Sequence, residues 1–256
     1  MAPSNSPRVA LITGAASGMG RLAAQRLGRG GCRVAALDVN EVGLAETAHA
    51  SANIHRFVVD VTDSKEVEQV VERVEAELGP IDRVHNAAAI MPTGFLLDQD
   101  SALIQKIMDI NYGGTVNVCQ AVMPRLLSRG RGDLVNFASV AGWIPVPHFG
   151  AYNASKFAVV AYTEVLYHEN RGRGVRFACV CPPPVATPLL QQAKSKPKTL
   201  DTMPPIPPEK VLDAIERGLE RGRLMVYPDF SSALVVRLRR LIPGIVWASV
   251  RRIEGL

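Results

Sequence analysis

The chain has 256 residues, 47% of them apolar and 21% charged, and a formal net charge of +5. That length suits one large α/β domain or two small ones with a full core, and the basic residues are spread along the chain except for an arginine-heavy end, so the net charge alone does not point to nucleic acid. Cys32, Cys119, Cys179 and Cys181 lack paired spacing, MAPSNSPR lacks the apolar run of a secretory signal, and no run of about 18 uncharged apolar residues occurs. The expectation is a soluble cytoplasmic protein with buried free thiols, no bound metal and no nucleic-acid partner.

Residues 8–13 (RVALIT) form a short β-branched run that reads as a buried strand. It leads straight into Gly14-Ala-Ala-Ser-Gly18-Met-Gly20 and then a helix-prone segment ending in glycines. Strand, glycine turn and helix form the setting in which a backbone approaches a pyrophosphate held at a helix N-terminus. Residues 33–38 (RVAALD) are the next strand. Its terminal Asp38, 24 positions after Gly14, is placed to hold the ribose hydroxyls of a dinucleotide. A carboxylate there repels a 2′-phosphate, and no basic residue is placed to welcome one, so NAD is favoured over NADP. The competing reading has Asp38 capping the helix that follows.

The alternation continues. Strands are expected at 54–60, 81–86, 133–138 and 175–181, and helices at 64–78, 101–127 and 152–170, the first of these with an apolar stripe from Val67 to Leu78. This order implies parallel βαβ units in one doubly wound sheet covered by helices on both faces. Ligands then lie beyond the carboxyl ends of the strands, where Gly14, Asp38, Asp60, Asn86, Ser139 and Pro182 all fall. Tyr152 and Lys156, four apart on a helix, share a face, so the ammonium can lower the pKa of the phenol. Residues 188–208 are polar and proline-rich and read as a substrate lid; a helix is expected at 209–221 and a last strand at 223–227. The segment 231–256 is basic and amphipathic, suited either to a membrane interface or to a subunit contact.

At this point the residues resemble the classical short-chain dehydrogenase/reductase family over about 8–227. TGAASGMG (13–20) looks like its cofactor loop and Asp60-Val61 like the pair that contacts adenine. Asn111 in DINYGG, with Ser139, Tyr152 and Lys156, resembles its catalytic tetrad. Two departures stand out: the family's Asn-Asn-Ala-Gly is Asn86-Ala87-Ala88-Ala89 here, and its Pro-Gly is Pro182-Pro183. The resemblance implies a single Rossmann-type catalytic domain (1–230, lid included) with a C-terminal extension (231–256). It implies NAD held by Gly14, Ser17, Gly18, Met19 and Gly20, by Asp38, Asp60 and Val61, and by Asn86, Ala87 and Ala88. Further contacts would come from Pro182, Val185 and Thr187, with Tyr152 and Lys156. The implied reaction interconverts a secondary alcohol and a ketone, oxidation being the working direction. Tyr152 is the general acid/base, Ser139 positions the substrate oxygen, Lys156 holds ribose hydroxyls and Asn111 anchors a water. The pocket would be apolar, lined by Met91, Phe95, Trp143, Ile144, Val146, Phe149, Leu189 and Leu190, with Ser139 and Tyr152 at its reactive end; His148 could also reach it. A homodimer or homotetramer is implied. The alternative is a dinucleotide sensor of the same fold that has lost activity.

Overall fold

The computed structural model describes residues 7–193, 195 and 197–256; the first six residues, and Lys194 and Lys196 of the expected lid, lie outside it. The core is a seven-stranded parallel sheet in the order β3-β2-β1-β4-β5-β6-β7. In chain order, β1 (Val9–Thr13), α1 (Gly18–Arg29), β2 (Arg33–Asp38), α2 (Glu41–Ala48) and β3 (Ile54–Val58) build one half. Then follow α3 (Ser64–Leu78), β4 (Arg83–Asn86), α4 (Ser101–Met108), α5 (Gly114–Arg129), β5 (Gly132–Phe137), α6 (Gly150–Asn170) and β6 (Val175–Val180). The chain closes with α7 (Pro188–Gln191), α8 (Pro208–Glu220), β7 (Met225–Val226), α9 (Phe230–Leu241) and α10 (Pro243–Glu254).

The strands are apolar on both faces because both are covered. Val9 and Leu11 of β1 pack with the stripe of α3 and with α5, while Ala10 and Ile12 pack with α1 and α8. The order reverses between β1 and β4, whose outward crossovers leave a crevice at the strand ends. At the opposite end of the sheet, Arg83 is buried and bonded to Asp133 (2.8 Å) and Glu216 (2.7 Å). Removing one partner of such a pair would cost about 3–5 kcal/mol, so this cluster clamps the sheet away from the crevice.

One element differs from the sequence expectation, and two others gain local structure that the sequence did not specify. The helix expected over 101–127 is interrupted by a π-helical turn, Asp109–Gly113, that presents Asn111 inward. The lid carries a short helix and a 3₁₀ turn, Lys198–Thr202, and is stitched to the proline run by a bridge between Val185 and Ile206. The C-terminal segment is a helical pair that packs on the body: Val236 is buried with Val140 and Ile144. None of the helices is long and apolar enough to cross a membrane, among the described residues.

Candidate active site

A cavity of about 570 Å³ opens at the carboxyl ends of the strands. Its floor is the β1–α1 turn. Gly14 has φ +66°, and a Cβ there would stand 2.8 Å from the Ala87 carbonyl oxygen and from the Ala88 backbone. A Cβ on Gly20 would collide with the Gly14 carbonyl. Two glycines therefore let the turn close under the loop after β4. Ser17 starts α1 in extended conformation, its hydroxyl making no capping bond, and Ser17, Gly18, Met19 and Gly20 all line the cavity. The partial positive charge of a helix N-terminus thus borders it.

Asp38 ends β2 at the rim. Its Oδ2 accepts from the Ala16 amide and its Oδ1 from the Asn40 amide, each at 3.0 Å, which fixes the carboxylate without consuming all its lone pairs. The cap of α2 is Asn40, which accepts from Gly43, so the capping alternative for Asp38 does not hold. Arg21, in the first turn of α1, is committed to Glu46 (2.8 Å) and to the Ala16 carbonyl. Asp60 and Val61 line the wall beyond, the Asp60 carboxylate accepting from the Thr62 amide and hydroxyl.

Asn86 is placed differently from the expectation. Its side chain turns into the protein, donating to Asn136 (2.9 Å), its neighbour in the β4–β5 register, and to the Cys119 sulfur. Ala87 and Ala88 face the cavity instead, both amides donating to Thr13 Oγ1 at 3.1 Å. The Thr13 hydroxyl secures the loop at the point where the sequence departs from the pattern it resembles. Pro182, Val185 and Thr187 line the facing wall, and the Pro182 carbonyl accepts from the Val140 amide.

The reactive end is built by β5 and α6. Tyr152 and Lys156 are both buried and both line the cavity. Ser139, just past β5, accepts from the Ala141 amide at 3.0 Å and lines it too. Lys156 Nζ donates to the Phe137 carbonyl at 2.7 Å. Burial pushes the Lys156 pKa down to about 8. The sequence expectation had Lys156 lowering the Tyr152 pKa; in the structure the dominant influence on the phenol is burial. Burial pushes the phenol up to about 12, against a smaller lowering by the Ser139 hydroxyl.

Asn111 is buried behind the site. Its amide accepts from Ile90 (2.8 Å) and donates to the Ile90 carbonyl and to Ser155, each at 3.0 Å. It ties the loop after β4 to α6 and does not itself line the cavity.

The remaining wall is apolar. Met91, Phe149 and Tyr152 are buried together with Ala193, against Val146, Leu189, Leu190 and Leu200. Trp143, expected on this wall, faces the other way: it packs with Val140, Ile144 and Val236, and the Arg240 guanidinium stacks 5.3 Å from its ring. Phe95 is half-exposed, stacked on His148 with ring centroids 4.1 Å apart. His148, at φ +69°, shares a 2.7 Å hydrogen bond with the Ser195 hydroxyl, so it latches lid to loop. Sequence reasoning missed Lys106 and Ile110 as lining residues, and within the expected lid it did not single out Thr199 and Met203. The apolar pattern that runs from α4 into the π-turn was the available signal for Ile110; Thr199 and Met203 sit in a polar stretch that offers no periodicity.

Fold and cavity together define a Rossmann-like α/β protein. The short chain dehydrogenase family profile matches residues 8–198. D-threitol dehydrogenase of Mycolicibacterium smegmatis is 37% identical over 240 residues, 90% of this chain and 85% of that protein. Estradiol 17-beta-dehydrogenase 11 of Homo sapiens is 30% identical over 251 residues, covering 95% and 82% respectively. A crystal structure of a short chain dehydrogenase/reductase from Burkholderia phymatum in complex with NAD superposes with a TM-score of 0.84 at 26% identity, covering 93% of this chain and 94% of that one. The chain belongs to the short chain dehydrogenase family and is an oxidoreductase by that membership.

Proposed function

We propose that the protein is an NAD-dependent dehydrogenase that interconverts a hydrophobic secondary alcohol and its ketone, working in the direction of oxidation. The observation that carries this reading is one cavity bounded by the glycine turn and Asp38 on one side and by Ser139, Tyr152 and an apolar wall on the other. The turn fits a dinucleotide: a Cβ at Gly14 or Gly20 would fill the cradle, and the N-terminus of α1 suits a pyrophosphate. Asp38 would accept from ribose hydroxyls, and with Arg21 occupied by Glu46 a 2′-phosphate finds no cation there. Once bound, the dinucleotide would supply the hydride acceptor. Met19, Asp60, Val61, Ala87, Ala88, Pro182, Val185 and Thr187 would complete its enclosure.

Tyr152 would take the alcohol proton as general base, and Ser139 would hold the same oxygen in line. For this the phenol must fall from about 12 towards working pH. The positive charge of Lys156, together with that of an oxidised nicotinamide, acts in that direction. Lys156 would also hold ribose hydroxyls, and Asn111 would serve by fixing α6 against the loop after β4. The two relatives named above carry threitol and estradiol in their names; the wall of Met91, Phe149, Leu189, Leu190 and Leu200 favours the apolar end of that range. We take the protein to act in the cytoplasm as a homodimer or homotetramer.

The test is NADH formation with a panel running from short polyols to bulky apolar secondary alcohols. Turnover rising with apolar bulk is expected. NADH that binds, as read by its fluorescence, while every alcohol stays inert would show a binder rather than an enzyme.

A further inference from the structure

The face of α9 that looks away from the protein is apolar. Ser232 and Val236 are buried and mark the side turned to the body. Phe230, Leu234, Leu238 and Leu241, spaced by four, four and three, lie on the opposite side, Phe230 being 76% and Leu241 78% exposed. Ile242 and Ile245 carry the stripe around the corner into α10, Ile245 at 65% exposure. A surface helix usually reverses this arrangement, and contiguous exposed apolar side chains mark a contact surface.

The charge around the stripe indicates what covers it. The two helices carry five arginines, Arg237, Arg239, Arg240, Arg251 and Arg252. Among the described residues none of the five forms a salt bridge. The two neighbouring acids are spent internally. Asp229 caps α9 by accepting from the Ser232 amide, and Glu254 accepts from the backbone of Lys198 and Thr199. Arg240 stacks on Trp143 and the Nε of Arg239 is buried, but Arg237, Arg251 and Arg252 are exposed. An apolar stripe accompanied by exposed arginines matches the interfacial zone of an anionic bilayer, where guanidinium groups meet phosphates and leucines meet acyl chains. A second copy would double the exposed arginines at one contact, so like-charge repulsion opposes self-association through this face.

We propose that α9 and α10 form a docking surface for an anionic phospholipid bilayer. The helices lie in the interface rather than span it, in keeping with their length of 12 residues each. This stands apart from the assignment of the reaction, because it needs no property of the cavity.

The experiment is co-sedimentation of the full chain with vesicles of phosphatidylcholine alone and of equimolar phosphatidylcholine and phosphatidylserine. Binding to the mixed vesicles, weakened by salt and slight on phosphatidylcholine, is expected. The pair Arg237→Gln and Arg251→Gln should weaken it about thirtyfold. The pair Leu234→Glu and Leu241→Glu should abolish it; Leu241→Ser alone, at a site 78% exposed, guards against a folding defect and should still weaken binding. Protein that stays in the supernatant with mixed vesicles overturns the proposal, as does equal binding to both lipids. So does an oligomer in lipid-free solution that the paired glutamates dissociate, since a second copy would then own the surface.

Discussion

The Lys156 ammonium stands 5.7 Å from the centroid of the Tyr152 ring and is bonded to the Phe137 carbonyl rather than to the phenol itself. The pair is thus prepared but not discharged: burial holds the tyrosine protonated and loosens the lysine's grip on its own proton.

From that arrangement Tyr152→Phe should lower kcat by about a thousandfold, within the range of about 10²–10⁴ for general acid–base groups. NADH affinity should stay near wild type, since the ring and its contact with Phe149 are kept. Steady-state kinetics beside a fluorescence titration separates the two. Substantial residual turnover would remove the tyrosine from the chemistry.

The same two residues set a pH dependence of stability. The Lys156 pKa is lowered from 10.5 to about 8, so between these values the unfolded chain binds the extra proton and stability rises with pH. The burial penalty is complete below pH 8 and relieved above 10.5. Tyr152 is raised from 10.0 to about 12, so across that window the folded chain holds the extra proton and stability falls as pH rises. Lys156→Met should therefore lose the rising limb, worth about 3 kcal/mol at full extent, and Tyr152→Phe the falling one. Urea unfolding at constant ionic strength across pH 7–12 reads both. Parallel curves for wild type and variants would contradict the assignment.

The alternation of strands and helices was legible because each strand is an apolar run and α3 carries an unbroken stripe from Val67 to Leu78. The cavity floor was legible for a similar reason, since Gly14 and Gly20 act through backbone positions that spacing reveals, and the end of β2 places Asp38 at the rim. What spacing does not reveal is where a side chain turns. Asn86 ends β4 at a place where contacts to Asn136 and Cys119 are available inside, and they draw it inward. Trp143 turned from the cavity because α9, which lies outside the resemblance, supplies Val236 and Arg240 to cover it. The π-turn at Asn111 also left no trace in helix propensity. It depends on the carboxamide finding Ile90 and Ser155, residues 21 and 44 positions away.

Asp38→Ala should shift preference from NAD towards NADP by removing the charge that repels a 2′-phosphate. It also strips an acceptor from the Ala16 and Asn40 amides, at a cost of about 1 kcal/mol each. Asp38→Asn is the cleaner variant, because it keeps an acceptor oxygen while removing the charge. Both should move the ratio of kcat/KM values for the two dinucleotides in the same direction. An unchanged ratio in both would dissociate Asp38 from ribose recognition.

Glu254 closes the lid from outside. Burial tends to raise its pKa, but hydrogen bonds from Thr199 and from the Lys198 amide outweigh this and hold it below the ordinary carboxylate range. Thr199 and Leu200 line the cavity, so the carboxylate near the end of α10 restrains a segment that substrate must pass or displace. Glu254→Ala leaves two backbone amides without this acceptor and frees the 3₁₀ turn to open. Tryptic cleavage after Lys198 should accelerate severalfold, and KM for an apolar alcohol should change more than kcat, while the melting temperature moves little because the site lies at the surface. The depressed pKa gives the sign of the pH effect: the restraint is present at neutral pH and is lost as pH falls through the folded-state value, so acid should speed cleavage of the wild type towards that of the variant. Equal cleavage rates at neutral pH would show that the lid is held by its other contacts, Ser195 to His148 and Gln192 to Met91, and not by the C-terminal helix.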